Sequence, residues 1–181
     1  MKKTLLKIAE HFNESDISWA VGASYLLKLH NIVEQANDLD ILVLKSDLNK
    51  AASILNKLGK EESIEKMNKN FSRDFYKFKI NGVEVDLFAD LLINYNNKSY
   101  NFQFKKESIT DFKKINAFLI PLASLEDWYI LYSLMAGKEK KIKLLENHFE
   151  KHGIKNPEIL EKNLEKALPE KLKQSIVKLL R

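Results

Sequence analysis

Two aspartates stand at the start of a segment that is predicted to be a buried β-strand. Asp38 and Asp40 are separated by Leu39 and lead directly into the apolar residues 41–44. Residues two apart on a strand face the same side, with their Cα atoms about 6.6 to 7 Å apart, so both carboxylates can reach one cation. Burying ionised carboxylates without such a partner is costly. The fold must therefore bring a compensating group to this strand.

A third aspartate repeats the pattern later in the chain. Residues 75–80 and 83–88 are predicted to form an antiparallel hairpin, because the intervening Asn81-Gly82 tolerates the positive φ angles of a type I′ turn. Asp86 then lies on the polar face of the second strand. If this strand pairs beside the first, Asp86 completes a cluster of three carboxylates, whose hard oxygen ligands suit Mg²⁺ or Mn²⁺.

Taken singly, each of these acids also has an ordinary structural explanation. Asp38 can cap a loop, and Asp40 can lie on an exposed edge strand. Asp86 can face solvent like its neighbour Glu84. The three together are harder to explain in this way, because Asp40 sits within a run that otherwise has the pattern of a buried strand.

The hydrophobic pattern predicts an α+β fold, with a mixed sheet flanked by helices and followed by a C-terminal helical region. Helices are predicted at residues 2–14, 24–30, 46–58 (capped by Ser46 and ended by Gly59), 124–136, 139–151, 157–166 and 169–180. Further strands are predicted at residues 17–21 and 39–44, and at 100–104 and 117–120, which would extend the sheet. We expect a core formed by residues 1–122 and a C-terminal helical subdomain formed by residues 123–181.

The composition is that of an ordinary globular domain. Among 181 residues there is no Cys, and no apolar stretch approaches the length of about 20 residues that spans a bilayer, so we expect a cytoplasmic protein. The net charge of +5 comes from residues 138–181, where 12 Lys and Arg stand against 7 Glu, leaving 18 against 18 elsewhere. Such a basic tail can meet nucleic acid or phosphate groups, although lysines interleaved with glutamates more often form a solvated helix face.

A glycine-containing turn precedes the first pair of aspartates. The strand predicted at residues 17–21 runs into Gly22, and the next helix begins at Ser24. Backbone N–H groups and a serine hydroxyl in this geometry can hold a phosphate group. A tight turn followed by a helix N-cap is the alternative explanation.

Together these elements resemble the nucleotidyltransferase superfamily, whose members have the DNA polymerase β-like fold. The family pattern is a Gly-Gly-Ser or Gly-Ser turn at a helix start, then Asp-x-Asp in a hydrophobic strand, then a third Asp on a later strand. The matching residues, in this order within about residues 17–90, are Gly22-Ala23-Ser24, Asp38-Leu39-Asp40 and Asp86. The likeness is to small bacterial members, including minimal, aminoglycoside and lincosamide nucleotidyltransferases and toxins of abortive-infection systems.

The resemblance implies a role for each of these residues. The turn at residues 22–24 would hold the phosphates of a nucleoside triphosphate, with Ser24 as the side-chain donor. Asp38 and Asp40 would bind Mg²⁺. Asp86 would complete the second metal site or act as a base.

Basic residues and two departures from the family pattern bear on the nucleotide site. Lys138 and Lys140 are candidates for contacts with the triphosphate, with a solvated helix start as the alternative, and Arg73 is a further candidate. Ala23 stands where many members have a second glycine, which puts a Cβ close to the expected phosphate. Lys141 stands where related proteins have an aspartate.

The resemblance therefore implies a Mg²⁺-dependent enzyme that transfers a nucleoside monophosphate from a nucleoside triphosphate such as ATP to a hydroxyl group, with release of pyrophosphate. The acceptor would be a small molecule, a protein or RNA. The alternative is a catalytically weak or partner-dependent module of the same fold, such as a toxin–antitoxin component or an RNA-binding protein. A metal-dependent phosphohydrolase would use the same acids, but a His-rich site is not evident.

Other residues that could carry chemistry have simpler interpretations. His148 and His152 lie one helical turn apart, but no third metal ligand is evident, so they are interpreted as surface residues. Trp19 and Trp128 are interpreted as core residues rather than as platforms for base stacking.

Overall fold

A computed structural model describes residues 1–62 and 75–181, and it has helices flanking a mixed β-sheet, so the predicted fold class is confirmed. Arg73 lies outside the described residues. The helices are α1 (Lys2–Glu14), α2 (Ala23–Leu29), α3 (Leu48–Leu58), α4 (Leu125–Leu134), α5 (Glu139–His152), α6 (Pro157–Leu164) and α7 (Glu170–Leu179). The strands are β1 (Trp19–Val21), β2 (Leu39–Val43), β3 (Lys60–Glu61), β4 (Phe75–Ile80), β5 (Val83–Phe88), β6 (Asp90–Tyr95), β7 (Lys98–Gln103), β8 (Ile109–Ile115) and β9 (Phe118–Ala123).

The main sheet of the described residues has seven strands in the order β3-β4-β5-β2-β1-β9-β8. β2 pairs in parallel with β5, and β1 pairs in parallel with β9, whereas the other neighbours are antiparallel. β6 and β7 form a separate two-stranded sheet. The parallel pairing of β2 with β5 brings the segment of Asp86 beside the segment of Asp40.

α1 shows how the amphipathic pattern becomes a core. Its apolar residues Leu5, Ile8 and Phe12 recur at helical spacing and are all fully buried. The ring of Phe12 packs edge-on against the indole of Trp19, with 5.7 Å between the ring centroids. Trp19 and Trp128 are both buried, which confirms their interpretation as core residues.

Two hairpins turn through residues with positive φ. The predicted hairpin of β4 and β5 is confirmed, and its turn residues Asn81 and Gly82 have φ angles of 51° and 77°. The hairpin of β6 and β7 turns in the same way through Asn96 and Asn97, with φ angles of 44° and 60°. This second turn was missed in the sequence, so the strand predicted at 100–104 was wrongly placed in the main sheet; as β7 it pairs with β6.

The start of α3 also differs from the prediction. A 3-10 turn at Lys45–Asp47 precedes the helix, and the hydroxyl of Ser46 donates to the Asp47 carboxylate at 3.3 Å instead of capping the helix. The other oxygen of Asp47 accepts a hydrogen bond from the backbone N–H of Ser18 at 3.0 Å. This bond ties the start of α3 to the chain before β1. The helix ends at Gly59, as predicted.

The chain after β9 is helical, as predicted. α5 and α6 pack against α4, and α7 packs against α5 and α6. Gly137 and Gly153 take up positive φ in the connections after α4 and α5, and Pro157 is the first residue of α6. Among the described helices, none combines the length and apolar character that a membrane crossing requires. The boundary between the two parts, placed after residue 122, stays a prediction.

Candidate active site

Asp40 and Asp86 lie side by side on the two central parallel strands. The register of β2 and β5 pairs Asp40 with Asp86. Because directly paired residues of adjacent strands are about 5 Å apart and point to the same face, the two carboxylates leave the sheet together. The flanking Leu39 and Ile41 are fully buried. The adjacency that the sequence pattern suggested is therefore confirmed.

The glycine-containing turn is fastened to the same strand. The hydroxyl of Ser24 donates a hydrogen bond to Oδ1 of Asp38 at 2.9 Å. The backbone N–H of Gly22 donates to the carbonyl oxygen of Asp40 at 2.9 Å. These two bonds join the start of α2 to the start of β2. The fold thus brings the turn and the three aspartates into one site.

The electrostatics of the site favour protonation of the acids or a positive charge beside them. Burial raises the pKa of Asp40 well above its ordinary value, and the charges of Asp38 and Asp86 raise it further. Burial likewise raises the pKa of Asp86 to about 6, against the opposing charge of Lys77. Oδ1 of Asp86 is buried and has no hydrogen-bond partner among the described residues. A cation at this site would relieve all of these penalties.

The donor atoms suit a hard divalent cation, since carboxylate oxygens are the ligands that Mg²⁺ prefers. The unpartnered oxygen of Asp86 is the clearest structural sign of an open ligand position. As the side chains stand, no group of three His, Asp or Glu residues in ranges 1–62 and 75–181 is arranged as a metal site. The assignment of Mg²⁺ to Asp38, Asp40 and Asp86 therefore stays a prediction.

Gly22 is required by the close approach of α4. A Cβ atom at this position would lie 2.5 Å from Cδ1 of Leu42 and 2.6 Å from Cζ2 of Trp128. Neither neighbour has space to retreat, because Leu42 is fully buried and the indole of Trp128 is 3% exposed. The glycine therefore lets the turn lie directly beneath the Trp128 ring.

Ala23 has a backbone conformation that suits glycine better than alanine. Its φ angle of 43° falls in the left-handed region, where a residue with a Cβ atom pays about 1–2 kcal/mol. This is the position at which the family pattern has its second glycine. Ala23, the alanine that departs from the family pattern, therefore has a strained backbone conformation in the turn.

Tyr132 on α4 and Lys141 on α5 lie near the aspartates, and the sequence alone assigns neither residue to the site. Nζ of Lys141 lies 3.5 Å from the hydroxyl of Tyr132 and 4.9 Å from the centroid of its ring. Burial raises the pKa of Tyr132, and the nearby charges of Asp40 and Asp38 raise it further. Burial lowers the pKa of Lys141, while the same two carboxylates oppose this shift. The only sequence signal for Lys141 was its departure from the family pattern.

The two lysines that the sequence did single out differ in position. Lys138 is half-buried just before α5. The charges of Lys138 and Lys141 both lower the pKa of Asp40. Lys140 is exposed on the first turn of the helix. The assignment of both to the triphosphate stays a prediction.

Similar solved structures have the same fold. A candidate nucleotidyltransferase from Thermotoga maritima aligns with a TM-score of 0.61 and 18% identity, over 83% of this chain and 92% of that chain. The lincosamide antibiotic adenylyltransferase LnuA with bound lincomycin aligns with a TM-score of 0.54 and 17% identity, over 80% and 96%. ANT(2'')-Ia in complex with adenylyl-2''-tobramycin aligns with a TM-score of 0.59 and 11% identity, over 97% and 96%. No protein-family model and no curated protein matches the sequence. The chain therefore has the fold of the nucleotidyltransferase superfamily.

Proposed function

We propose that the chain is a nucleotidyltransferase, which moves a nucleoside monophosphate from a nucleoside triphosphate to a hydroxyl group of an acceptor. The observation that carries the proposal is the pairing of Asp40 with Asp86, next to the hydrogen bond between Ser24 and Asp38. Cations stabilise half-buried acids that lie so close together, and such acids can hold a metal-bound triphosphate. Two similar structures add support, one an adenylyltransferase by name and one with an adenylylated ligand.

In this proposal the turn and the lysines bind the triphosphate. The amides of residues 23 and 24 donate to phosphate oxygens. The amide of Gly22 and the hydroxyl of Ser24 stay bonded to Asp40 and Asp38 and so hold the turn in place. Lys138 and Lys141 balance the phosphate charge, since both already act on the neighbouring Asp40. Lys140 is a further candidate at the exposed edge of the same helix turn.

The aspartates serve the transfer step. Asp38 and Asp40 would hold Mg²⁺ or Mn²⁺, and Asp86 either completes that site or accepts the proton of the acceptor hydroxyl. The freed oxygen attacks the α-phosphorus, and the bond from the α-phosphorus to its bridging oxygen breaks, so that pyrophosphate leaves. When bound, the metal supplies charge stabilisation for the phosphates. Ser24 keeps Asp38 in place by its hydrogen bond.

Calorimetric titration tests the proposal. ATP, GTP, CTP and UTP are titrated into the wild type and into the Asp38→Asn/Asp40→Asn variant, with and without Mg²⁺. We expect one or more nucleotides to bind the wild type only with the metal, and the double variant to lose this binding. Glu84→Gln is the matched control, because Glu84 lies exposed on the strand of Asp86. Metal-independent binding, or equal binding by the double variant, would contradict the proposal.

A partner-dependent or RNA-binding module is the second candidate. The strained Ala23 and the ammonium group of Lys141 favour it, because each alters the site relative to the family pattern. This candidate predicts RNA binding that weakens steeply with salt and persists after replacement of Asp38, Asp40 and Asp86. If no RNA binds at low salt, its nucleic-acid form is excluded.

A further inference from the structure

Three histidines from two helices meet at a second place in the molecule. His148 and His152 lie one turn apart on α5, with 4.6 Å between their ring centroids. His30, directly after α2, lies 6.2 Å from His148 by the same measure. The sequence suggested only the pair, because a third imidazole 118 positions away has no readable signal. The structure thus places a third histidine beside the pair.

The three rings line a cavity of about 20 Å³, together with the side chains of Asp111 and Glu126. A volume of this size holds one water molecule or one ion. The lining is rich in groups that ligate metals, since imidazole nitrogen and carboxylate oxygen are both common ligands. The cavity therefore matches a single ion in size and chemistry.

The imidazoles have nitrogen atoms to offer. None of the three rings makes a hydrogen bond to another described residue. The two carboxylates, in contrast, are engaged: Glu126 accepts four hydrogen bonds, from Ser124, Lys155 and Asn156. The carboxylate of Asp111 accepts from the amide of Phe112 at 2.8 Å and pairs with Lys155 at 3.2 Å. The histidines are thus the available ligands.

His30 and His148 also favour the neutral form that binds metals. Burial lowers the pKa of His30, assisted by Lys155, His148 and Lys113 and opposed by Asp111. Burial also lowers the pKa of His148, assisted by His152, Lys155 and Lys151 and opposed by Glu126. A neutral imidazole keeps a lone pair for an ion near pH 7, so no proton has to leave first.

We propose that His30, His148 and His152 bind one transition-metal ion of the Zn²⁺ class. Two histidines at positions i and i+4 of a helix can chelate one ion, and a third from another element closes the site. As they stand, the three rings are not arranged at metal-ligand distances. Binding therefore involves rotation of the imidazoles about their side-chain bonds toward the cavity, where a water molecule can fill a fourth position.

The ion would join the distal ends of two helices that begin at the candidate active site. α2 begins at Ala23, beside Ser24, and His30 follows its last residue, whereas α5 begins near Lys141 and ends at His152. Lys141 and His148 are seven residues apart on α5, which corresponds to about 10 Å along the helix. The proposed site is therefore separate from the aspartates and would act as a clamp between the core and the C-terminal helices.

Titration of Zn²⁺ and Co²⁺ into tag-free, metal-free protein tests the proposal. We expect one ion per chain, a visible Co²⁺ spectrum typical of nitrogen ligands, and a rise in Tm with Zn²⁺. His30→Ala and His148→Ala should each weaken binding at least tenfold, whereas Asp38→Asn/Asp40→Asn should not. His11→Ala is the matched control, since His11 is the fourth histidine of the sequence and bonds to the carbonyl of Lys7 instead.

The outcomes separate this site from a surface or active-site effect. The chain has no cysteine, so thiolate binding cannot imitate the result. If His148→Ala unfolds in the absence of metal, the exposed His152→Gln provides the second variant, and it should lose affinity with an unchanged metal-free Tm. Equal loss in His11→Ala, loss in the aspartate variant, or wild-type affinity in the variant lacking all three histidines would overturn the proposal.

Discussion

Replacement of Ala23 by glycine measures the strain in the turn of the candidate site. The left-handed φ of 43° at Ala23 costs about 1–2 kcal/mol, and glycine avoids this cost. Glycine adds flexibility to the unfolded chain at a cost of about 0.4–1 kcal/mol. It also removes a buried methyl group, which costs about 0.8 kcal/mol. The gain and the two costs cancel to within about 1 kcal/mol, so we expect Ala23→Gly to leave the free energy of unfolding nearly unchanged.

Ala20→Gly is the matched control, because Ala20 is fully buried in β1 and has no positive φ. Only the two costs apply there, so we expect a loss of about 1–2 kcal/mol. Urea denaturation followed by circular dichroism compares both variants with the wild type. In a chain of this size the difference between them corresponds to a change in Tm of about 3–6 °C. If Ala23→Gly loses as much stability as Ala20→Gly, the left-handed turn carries no strain and the reasoning is wrong.

Three further changes test the packing of Gly22, the protonation of the buried Asp127 and the role of Lys141. Gly22→Ala should destabilise by about 1–3 kcal/mol through contact with Trp128 and Leu42. In a Trp128→Ala background urea denaturation should show a smaller penalty, because only the contact with Leu42 remains; an unchanged penalty would contradict the packing argument. Burial raises the pKa of Asp127 to about 7, so the folded protein retains a proton that the unfolded chain releases, and the contribution of this group to stability falls as the pH rises from about 4 to about 7. Asp127→Asn should flatten that fall in urea denaturation at pH 5 and pH 8, and an identical pH dependence would refute the assignment. On the proposed function, Lys141→Ala should weaken nucleotide binding by about tenfold, or about 1.4 kcal/mol, and calorimetry should show a smaller effect for the exposed Lys140→Ala; the reverse order would exclude Lys141 from the phosphate site.

The acidic part of the site was predictable because it rests on short-range pattern. Asp40 lies within an apolar run, and Asp86 alternates with valine and leucine along its strand. Each pattern indicates a polar position on a largely buried strand. The Asn81-Gly82 turn fixed the register of the hairpin that carries Asp86. What these patterns do not contain is which strands become neighbours, and that information came only from the sheet order.

The elements that the sequence did not predict have weak or polar patterns. β8 carries Asp111, Lys113 and Lys114, the charges of an exposed edge strand, which hide its alternation. β6 ends at an Asn-Asn turn, which is a less familiar signal than Asn-Gly. The long-range groupings around Lys141 and His30 have no local pattern at all, because each joins helices that are far apart in the chain.

The C-terminal helices complete the site rather than merely follow the core. Trp128 on α4 determines that residue 22 is glycine, because the indole occupies the space of a Cβ atom. On the same helix, the ring of Tyr132 packs against the ammonium group of Lys141. The charge of that ammonium group lowers the pKa of Asp40. The turn, the half-buried acids and the lysine whose charge acts on them thus depend on one helix more than 80 residues after Asp40. A substitution on α4 is therefore expected to alter the same site as a substitution in the turn, since the two surfaces share one packed interface.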